Sequence, residues 1–132
     1  MSYYIAGEST KLGQGKLKGT LKVIGGQTVP AQCLIIDDLG ESAVIVLDDW
    51  APLTDVLENL VRDTPRRVGR AVNGLYLVVQ HKRAIGKLRP RDEVWITVSR
   101  EDASDSWSVA LGMEDVATLI GLLKGPAPLT AL

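Results

Sequence analysis

The stretch of residues 80–95, QHKRAIGKLRPRDEVW, concentrates positive charge immediately before a tryptophan. Its basic side chains are Lys82, Arg83, Lys87, Arg89 and Arg91. Lysine and arginine neutralise phosphate groups and release bound counterions, while an exposed indole ring stacks on nucleobases. The residue types and their spacing therefore point to contact with a polyanion, with Trp95 as the stacking ring.

Positive charge is distributed unevenly along the 132-residue chain, whose formal net charge is −1. Residues 62–91 contain nine basic residues and one acid, a local charge of +8, so the remainder of the chain carries −9. A separation of this size favours a polyanionic partner for one part of the surface. The alternative is a solvated basic face on an otherwise acidic protein.

Candidate catalytic and metal-binding residues form no recognisable pattern in the sequence. One cysteine and one histidine are too few for a Cys/His zinc site within a single chain. His81 lies in a basic segment with no obvious acid partner, and Cys33 lies on an apolar strand face as a small buried side chain. The aspartate pairs at 37–38 and 48–49 could hold Mg²⁺, but aspartate also commonly ends strands and caps helices. We therefore expect a protein that is not an enzyme and uses neither a metal nor a cofactor.

Two helices are predicted from apolar residues that recur at helical spacing. The first stripe is Trp50, Leu53, Val56, Leu57, Leu60 and Val61, and the second is Met113, Val116, Leu119, Ile120 and Leu123. Asp48 or Asp49 can cap the first helix, whose first turn tolerates Pro52. Gly125 and Pro126 end the second helix.

The two stripes superimpose at an offset of 63 residues, and similar apolar strands precede each helix. This pattern predicts an α+β fold of two pseudo-repeated units, residues 3–63 and 66–124. Each unit has three to four antiparallel strands followed by a helix, in the order ββββα-ββββα. A unit of about 60 residues buries too little surface to be stable alone. We therefore expect one compact domain over residues 1–132, with residues 125–132 as a C-terminal tail.

Strand alternation assigns an outer face to each predicted sheet. Trp95 and Tyr76 fall on the outer face of the second unit, whereas Trp107 and Trp50 fall among core positions. The outer face of the first unit carries a row of lysines. The predicted nucleic-acid-binding set is Lys16, Lys18, Lys22, Arg67, Arg70, Tyr76, Lys82, Arg83, Lys87, Arg89, Arg91 and Trp95.

This layout resembles the Whirly family and the related eukaryotic positive-cofactor single-stranded DNA-binding proteins. The resemblance rests on element order and on the repeat carried by AVIVLDDWAPLTDVLENLV (43–61) and WSVALGMEDVATLIGLLKG (107–125), and it covers most of residues 3–124. It implies a four-stranded antiparallel sheet followed by a helix, twice in the chain. It also implies binding of single-stranded DNA along the sheet edges and assembly into dimers or tetramers.

Together these observations predict a non-enzymatic homo-oligomer that binds single-stranded nucleic acid, DNA in particular. One alternative is a protein-interaction module or regulator that docks on a larger enzyme through the acidic regions 37–58 and 101–115. Another is a structural subunit in which Trp95 is buried between copies. No apolar run approaches the about 20 residues of a membrane helix, the N-terminus lacks a signal-peptide pattern, and a single cysteine fits a reducing compartment. We therefore expect a cytoplasmic protein with no membrane partner.

Overall fold

The computed structural model describes residues 8–13, 19–85, 90–102 and 104–126. Within these residues the chain forms two successive groups of four strands followed by a helix. The first group is β1 (Ser9–Leu12), β2 (Thr20–Ile24), β3 (Cys33–Asp38), β4 (Glu41–Ile45) and α1 (Ala51–Glu58). The second group is β5 (Arg66–Arg70), β6 (Tyr76–Ile85), β7 (Pro90–Ser99), β8 (Ser106–Gly112) and α2 (Met113–Lys124). The predicted repeat of four strands and a helix is therefore present.

Each group of strands makes its own antiparallel sheet, in the orders β1-β2-β3-β4 and β5-β6-β7-β8. Within each sheet, strands that follow one another in the sequence are paired side by side. Antiparallel strands can pair in this way because a short connection joins them. The longest pairing joins β6 to β7, from Tyr76 opposite Ser99 to Ile85 opposite Pro90. This long hairpin carries most of the basic stretch that the sequence singled out.

The inner faces of both sheets and one side of each helix bury their apolar residues in a single hydrophobic cluster. Fully buried members from the sheets include Leu21, Val23, Leu34, Ile36, Ile45, Leu77, Val79, Val94, Ile96, Val98, Val109 and Leu111. They lie on β2, β3, β4, β6, β7 and β8, where inward residues alternate with outward ones, as expected of a sheet with one face on the core. The helices add Leu53, Val56, Leu57, Val116, Leu119, Leu122 and Leu123.

Two tryptophans are expected at the core, Trp107 from strand alternation and Trp50 from the apolar stripe of the first helix. Trp107 is buried within the cluster, and Trp50 packs against its margin. The Trp50 Nε1–H donates to the carbonyl oxygen of Ala31 at 3.0 Å. Both predictions are confirmed.

The helix ends differ from the apolar stripes that predicted them. Helix α1 ends at Glu58, so Val61 lies beyond it and is 51% exposed. Met113 is the first residue of α2 and is 44% exposed, whereas Val116, one turn later, is buried. The prediction that Asp48 or Asp49 caps α1 is wrong: the N-cap is Trp50, without a side-chain cap hydrogen bond, although the Asp49 carboxylate one residue earlier accepts the Ala51 amide at 3.0 Å. Neither helix of the described part of the chain is long and apolar enough to cross a membrane.

Strand β1 covers only four residues and is an edge strand of the first sheet. Its pairing with β2 sets Thr10 opposite Val23 and Leu12 opposite Leu21. Leu12 is buried in the core cluster. The four residues show no strong strand pattern. Backbone pairing with β2 and burial of Leu12 are enough to add this strand to the sheet.

Direct hydrogen bonds join the two halves of the chain. The Asp38 carboxylate accepts the Ser108 amide at 3.0 Å, and the Asp115 carboxylate accepts the Gly13 amide at 3.0 Å. The Val72 amide donates to the Val46 carbonyl oxygen at 2.8 Å, just past the end of β4. These bonds fix the sheets relative to each other, in addition to the shared core.

Gly26 provides a test of how tightly the first half packs on α2. Its φ is +101°, and a Cβ built there would lie 2.7 Å from the Leu122 carbonyl oxygen. Gly40 also has a positive φ, of +82°, but its added Cβ would meet nothing within 4 Å. We expect Gly40→Ala to cost about 1–2 kcal/mol of unfolding free energy from backbone strain alone. Gly26→Ala should cost about 1–3 kcal/mol more, because α2 must also shift.

Urea unfolding of the two variants, followed by circular dichroism, gives the comparison directly. Since both glycines share the strained backbone region, the difference between the variants isolates the clash with α2. Equal losses for the two variants would show that the turn at Gly26 does not pack on the helix.

Candidate nucleic-acid interface

The outer face of the second sheet carries both of the predicted stacking rings. Trp95 lies opposite Gln80, and Tyr76 lies opposite Ser99 in the β6–β7 pairing. Both rings are half-buried, whereas Val94 and Ile96, on either side of Trp95, are completely buried. The register therefore confirms that the Trp95 ring points away from the core.

Trp95 is held by one cation and one carboxylate. The Lys82 Nζ lies 4.7 Å from the centre of the indole ring, which is cation–π distance. The indole Nε1–H donates to Glu93 Oε2 at 3.0 Å. Glu93 is one of the few buried charged residues, and Lys82 is its cross-strand partner. The ring is thus fixed in position by groups on both neighbouring strands.

Tyr76 has two arginines over its ring. The guanidinium carbons of Arg70 and Arg67 lie 5.5 Å and 5.8 Å from the ring centre. Its hydroxyl donates to Glu101 at 3.4 Å, and the same carboxylate accepts Arg70 at 3.3 Å. The tyrosine therefore lies among two cations and one anion.

A bulge in β5 brings both arginines to the same ring. Residues three apart in a regular strand point to opposite faces of a sheet. Here the register shifts between Arg67 and Gly69, so that Arg67 pairs with Val78 and Arg70 with Tyr76. Gly69 has φ +139°, a conformation that glycine adopts readily. The glycine inside the strand is the sequence signal for this bulge.

We call the set Arg67, Arg70, Tyr76, Lys82 and Trp95 the aromatic-basic face. Arg91 belongs to the same side of β7 by alternation with Glu93 and Trp95, and it is exposed. Arg83 is also exposed but lies on the opposite side of β6 from Lys82. Lys22 lies in the first sheet, on β2. The predicted residues Lys16, Lys18, Lys87 and Arg89 fall outside the described residues.

Sequence reasoning missed the two carboxylates of this surface. Glu93 is two residues before Trp95 and so shares its side of β7, a signal that alternation alone could have given. Glu101 lies in the turn after β7, where no periodicity assigns a direction. Glu93 and Glu101 therefore make this surface less positive than the number of basic residues in the segment 62–91 suggested.

The expectation that His81 has no acid partner is wrong. Its Nε2 lies 3.2 Å from Asp92 Oδ1, and the Arg62 guanidinium lies 3.5 Å from the same oxygen. The partner comes from the neighbouring strand, where Asp92 is a diagonal neighbour of His81. Cross-strand neighbours are invisible until the register is known, which is why the sequence did not show the pair.

Reactive or metal-binding chemistry finds little support in the described residues. Burial raises the pKa of the Cys33 thiol, which keeps it protonated and unreactive. Asp37 accepts the Ser42 hydroxyl, and Asp38 accepts the Ser108 amide. No group of three or more histidine, cysteine, aspartate or glutamate side chains within residues 8–13, 19–85, 90–102 and 104–126 could hold a metal ion.

A cleft of about 450 Å³ lies between the two helices, away from the aromatic-basic face. Its walls combine the Trp50 ring with three carboxylates and one lysine. They are formed by Asp49, Trp50, Ala51, Thr54, Asp55, Glu58, Leu123 and Lys124. Lys124 already pairs with Glu58 at 3.2 Å, so the remaining charge of the cleft is negative.

The described residues thus offer one surface suited to a polyanion and one cleft suited to a cation. Comparison of the chain with protein-family models, with curated proteins and with solved structures gave no match.

Proposed function

We propose that this protein binds single-stranded nucleic acid, and DNA in particular, through the aromatic-basic face, without catalysing a reaction. The observation that carries the proposal is the pairing of two outward aromatic rings on one sheet with cations. Lys82 lies 4.7 Å from the Trp95 ring, and Arg70 lies 5.5 Å from the Tyr76 ring. Stacking rings beside phosphate-binding cations are the two components of a single-strand site.

The energetics favour exchange of the internal contacts for nucleic-acid contacts. An exposed cation–π contact is worth about 0.5–1 kcal/mol, whereas a base stacked on an aromatic ring is worth about 1–3 kcal/mol. A base that displaces Lys82 from Trp95 also leaves the ammonium group available for a phosphate. The paired cations therefore keep the rings in place before binding without competing strongly against it.

The charge of the surface sets the expected strength of binding. Four cations (Arg67, Arg70, Lys82, Arg91) are opposed by two carboxylates (Glu93, Glu101). With about two to four phosphates neutralised, log K should fall with log salt at a slope between about −1.4 and −2.8. We therefore expect modest affinity that is measurable at low salt.

The repeated ββββα order supports the resemblance to Whirly-type proteins on which the proposal also draws. That resemblance brings with it an expected dimer or tetramer, which light scattering of the full chain would measure. A single cysteine fits the cytoplasmic location that the proposal assumes.

A salt-series titration tests the proposal. Fluorescently labelled oligothymidylate and a duplex of equal length are titrated with the full chain, and anisotropy is followed. We expect a salt slope in the range given above. The single strand should bind more tightly than the duplex, because the bases of a duplex are already stacked on one another and cannot stack on Tyr76 and Trp95. Absence of binding at the lowest salt, or equal binding of the duplex, would overturn the proposal.

Lys82→Gln and Arg83→Gln form a matched pair for this titration. The two residues are adjacent in β6 but lie on opposite sides of the strand. Lys82→Gln should reduce the salt slope by about 0.7, which is one phosphate contact on a single strand. Arg83→Gln should change the slope less, and a larger effect at Arg83 would place the strand on the other face of the hairpin.

A second candidate function follows from the cleft between the helices. Asp49 and Asp55 line the same cleft as Trp50, a combination that suits the lysine or arginine side chain of a protein partner. In that case the protein would be a regulator that docks on a larger enzyme. Binding of a Lys/Arg-rich peptide that Asp55→Asn weakens, together with no oligonucleotide binding, would favour this alternative.

A further inference from the structure

The two rings of the aromatic-basic face are carried at widely separated positions of the second sheet. Tyr76 is opposite Ser99, and Trp95 lies four residues before Ser99 on the same strand, β7. Because a β-strand rises about 3.3 Å per residue, this offset separates the two backbone positions by about 13 Å along the strands. Tyr76 is on the neighbouring strand β6, and the spacing of about 4.8 Å between strands raises the separation to about 14 Å.

The described surface between these two positions carries no third aromatic ring. The outward side chains of β6 and β7 in this interval are Val78, Gln80 and Thr97. The Thr97 hydroxyl already pairs with the Ser108 hydroxyl at 3.1 Å. A base above this interval would therefore meet methyl groups and an amide instead of a ring, and would gain little from stacking.

Charge differs between the two sides of the rings. The cations over the rings lie on β5 and β6, namely Arg67, Arg70 and Lys82. The carboxylates bonded to the rings lie on β7 and in the turn that follows it, namely Glu93 and Glu101. Phosphate groups are attracted by the first set and repelled by the second. A bound strand should therefore run its phosphates along the β5–β6 side, where each ring has a cation next to it.

We infer that the aromatic-basic face holds three successive nucleotides, whose two outer bases stack on Tyr76 and Trp95 while the middle base stays unstacked. The inference rests on the proposed function and adds the length and spacing of the ligand to it. Successive bases are about 3.4 Å apart in a helically stacked strand, and a stretched strand reaches roughly twice that distance per nucleotide. One stretched step is too short for a separation of about 14 Å, whereas two steps span it.

Thymidine oligonucleotides of one to four nucleotides test the inference. Binding to the full chain is followed by two-dimensional NMR of the ¹⁵N-labelled protein, which measures weak affinities. A dinucleotide reaches only one ring, so the trinucleotide should bind about 5–150-fold more tightly, the gain from a second stacked base. The step from three to four nucleotides should be much smaller, because neither ring is left for the fourth base.

Abasic sites in the trinucleotide distinguish its three positions. Loss of the middle base should leave the affinity nearly unchanged, because that base has no ring to stack on. Loss of either outer base should lower the affinity to about that of the dinucleotide, since one stacking contact disappears.

Tyr76→Ala and Tyr76→Phe form a matched pair of variants. Alanine removes the ring, so the gain between two and three nucleotides should disappear. Phenylalanine keeps the ring and removes only the hydroxyl that donates to Glu101, so the gain should persist. Loss of the gain in both variants would mean that the hydroxyl, and not stacking on the ring, accounts for the third nucleotide.

The outcomes separate the spacing from the proposed function. A gradual rise in affinity from one to four nucleotides, or equal losses from the three abasic sites, would overturn the spacing and leave single-strand binding in place. The same holds if long oligothymidylate binds but the trinucleotide does not. A gain that survives Tyr76→Ala would overturn the assignment of an outer base to that ring. Failure of long oligothymidylate to bind would overturn the proposed function itself, together with the inference.

Discussion

Leu119→Ala is expected to lower the free energy of unfolding by about 2–5 kcal/mol. Leu119 is completely buried, at 0% exposure, on the side of α2 that packs into the shared core. The alanine would remove three carbon atoms and leave a cavity that the surrounding strands cannot fully close, because β-sheet backbones are held in register by their hydrogen bonds. Chemical denaturation followed by circular dichroism measures the loss.

Met113→Ala is the matched control for Leu119→Ala. Both residues belong to the same apolar stripe in the sequence, but Met113 is 44% exposed at the start of α2. Its replacement should change stability by no more than about 0.5 kcal/mol. Similar losses for the two variants would mean that α2 packs along its whole stripe, as the sequence pattern alone suggested.

The contrast between Met113 and Leu119 shows what helical periodicity can predict. The spacing of apolar residues gives the face of a helix, because every member of the stripe points the same way from the axis. The spacing does not give the ends of the helix, because the positions of the ends depend on where the helix leaves the core. Val61 fails in the same way, because α1 ends at Glu58 and the chain turns before Val61 reaches the core.

Strand alternation predicted which face of the sheet a side chain occupies, but not which side chains lie next to it. A period of two is enough to place Trp95 outward and Trp107 inward, because each strand has only two faces. The partners of those side chains depend on register, which is set by turns and by the other strands. Asp92 beside His81 is such a case, since it required the pairing of β6 with β7 to be known.

The bulge in β5 is the feature of the candidate site that no alternation rule could supply. Without it, Arg67 and Arg70 would point to opposite faces and only one could lie over Tyr76. The shift of register at Gly69 brings both guanidinium groups within 6 Å of the ring. A glycine in a strand indicates where a bulge can form, but the direction of the shift follows only from the neighbouring strand.

Trp95→Ala is expected to weaken binding of oligothymidylate by about 5–150-fold at low salt, the loss of one stacked base. The salt slope should stay unchanged, because the indole carries no charge and Lys82 remains able to contact a phosphate. Fluorescence anisotropy across the salt series measures both quantities. A loss of affinity without a change of salt slope indicates a stacking ring, whereas loss of a phosphate contact would also reduce the slope.

Trp95→Phe separates stacking from the other role of the indole. Both substitutions remove the Nε1–H that donates to Glu93, leaving that buried carboxylate without this donor. Only alanine also removes the aromatic surface. If a base stacks on residue 95, phenylalanine should retain most of the affinity, whereas alanine should lose it. Equal loss of affinity in the two variants would mean that Trp95 acts by holding Glu93 and the sheet in place, and that the strand binds elsewhere.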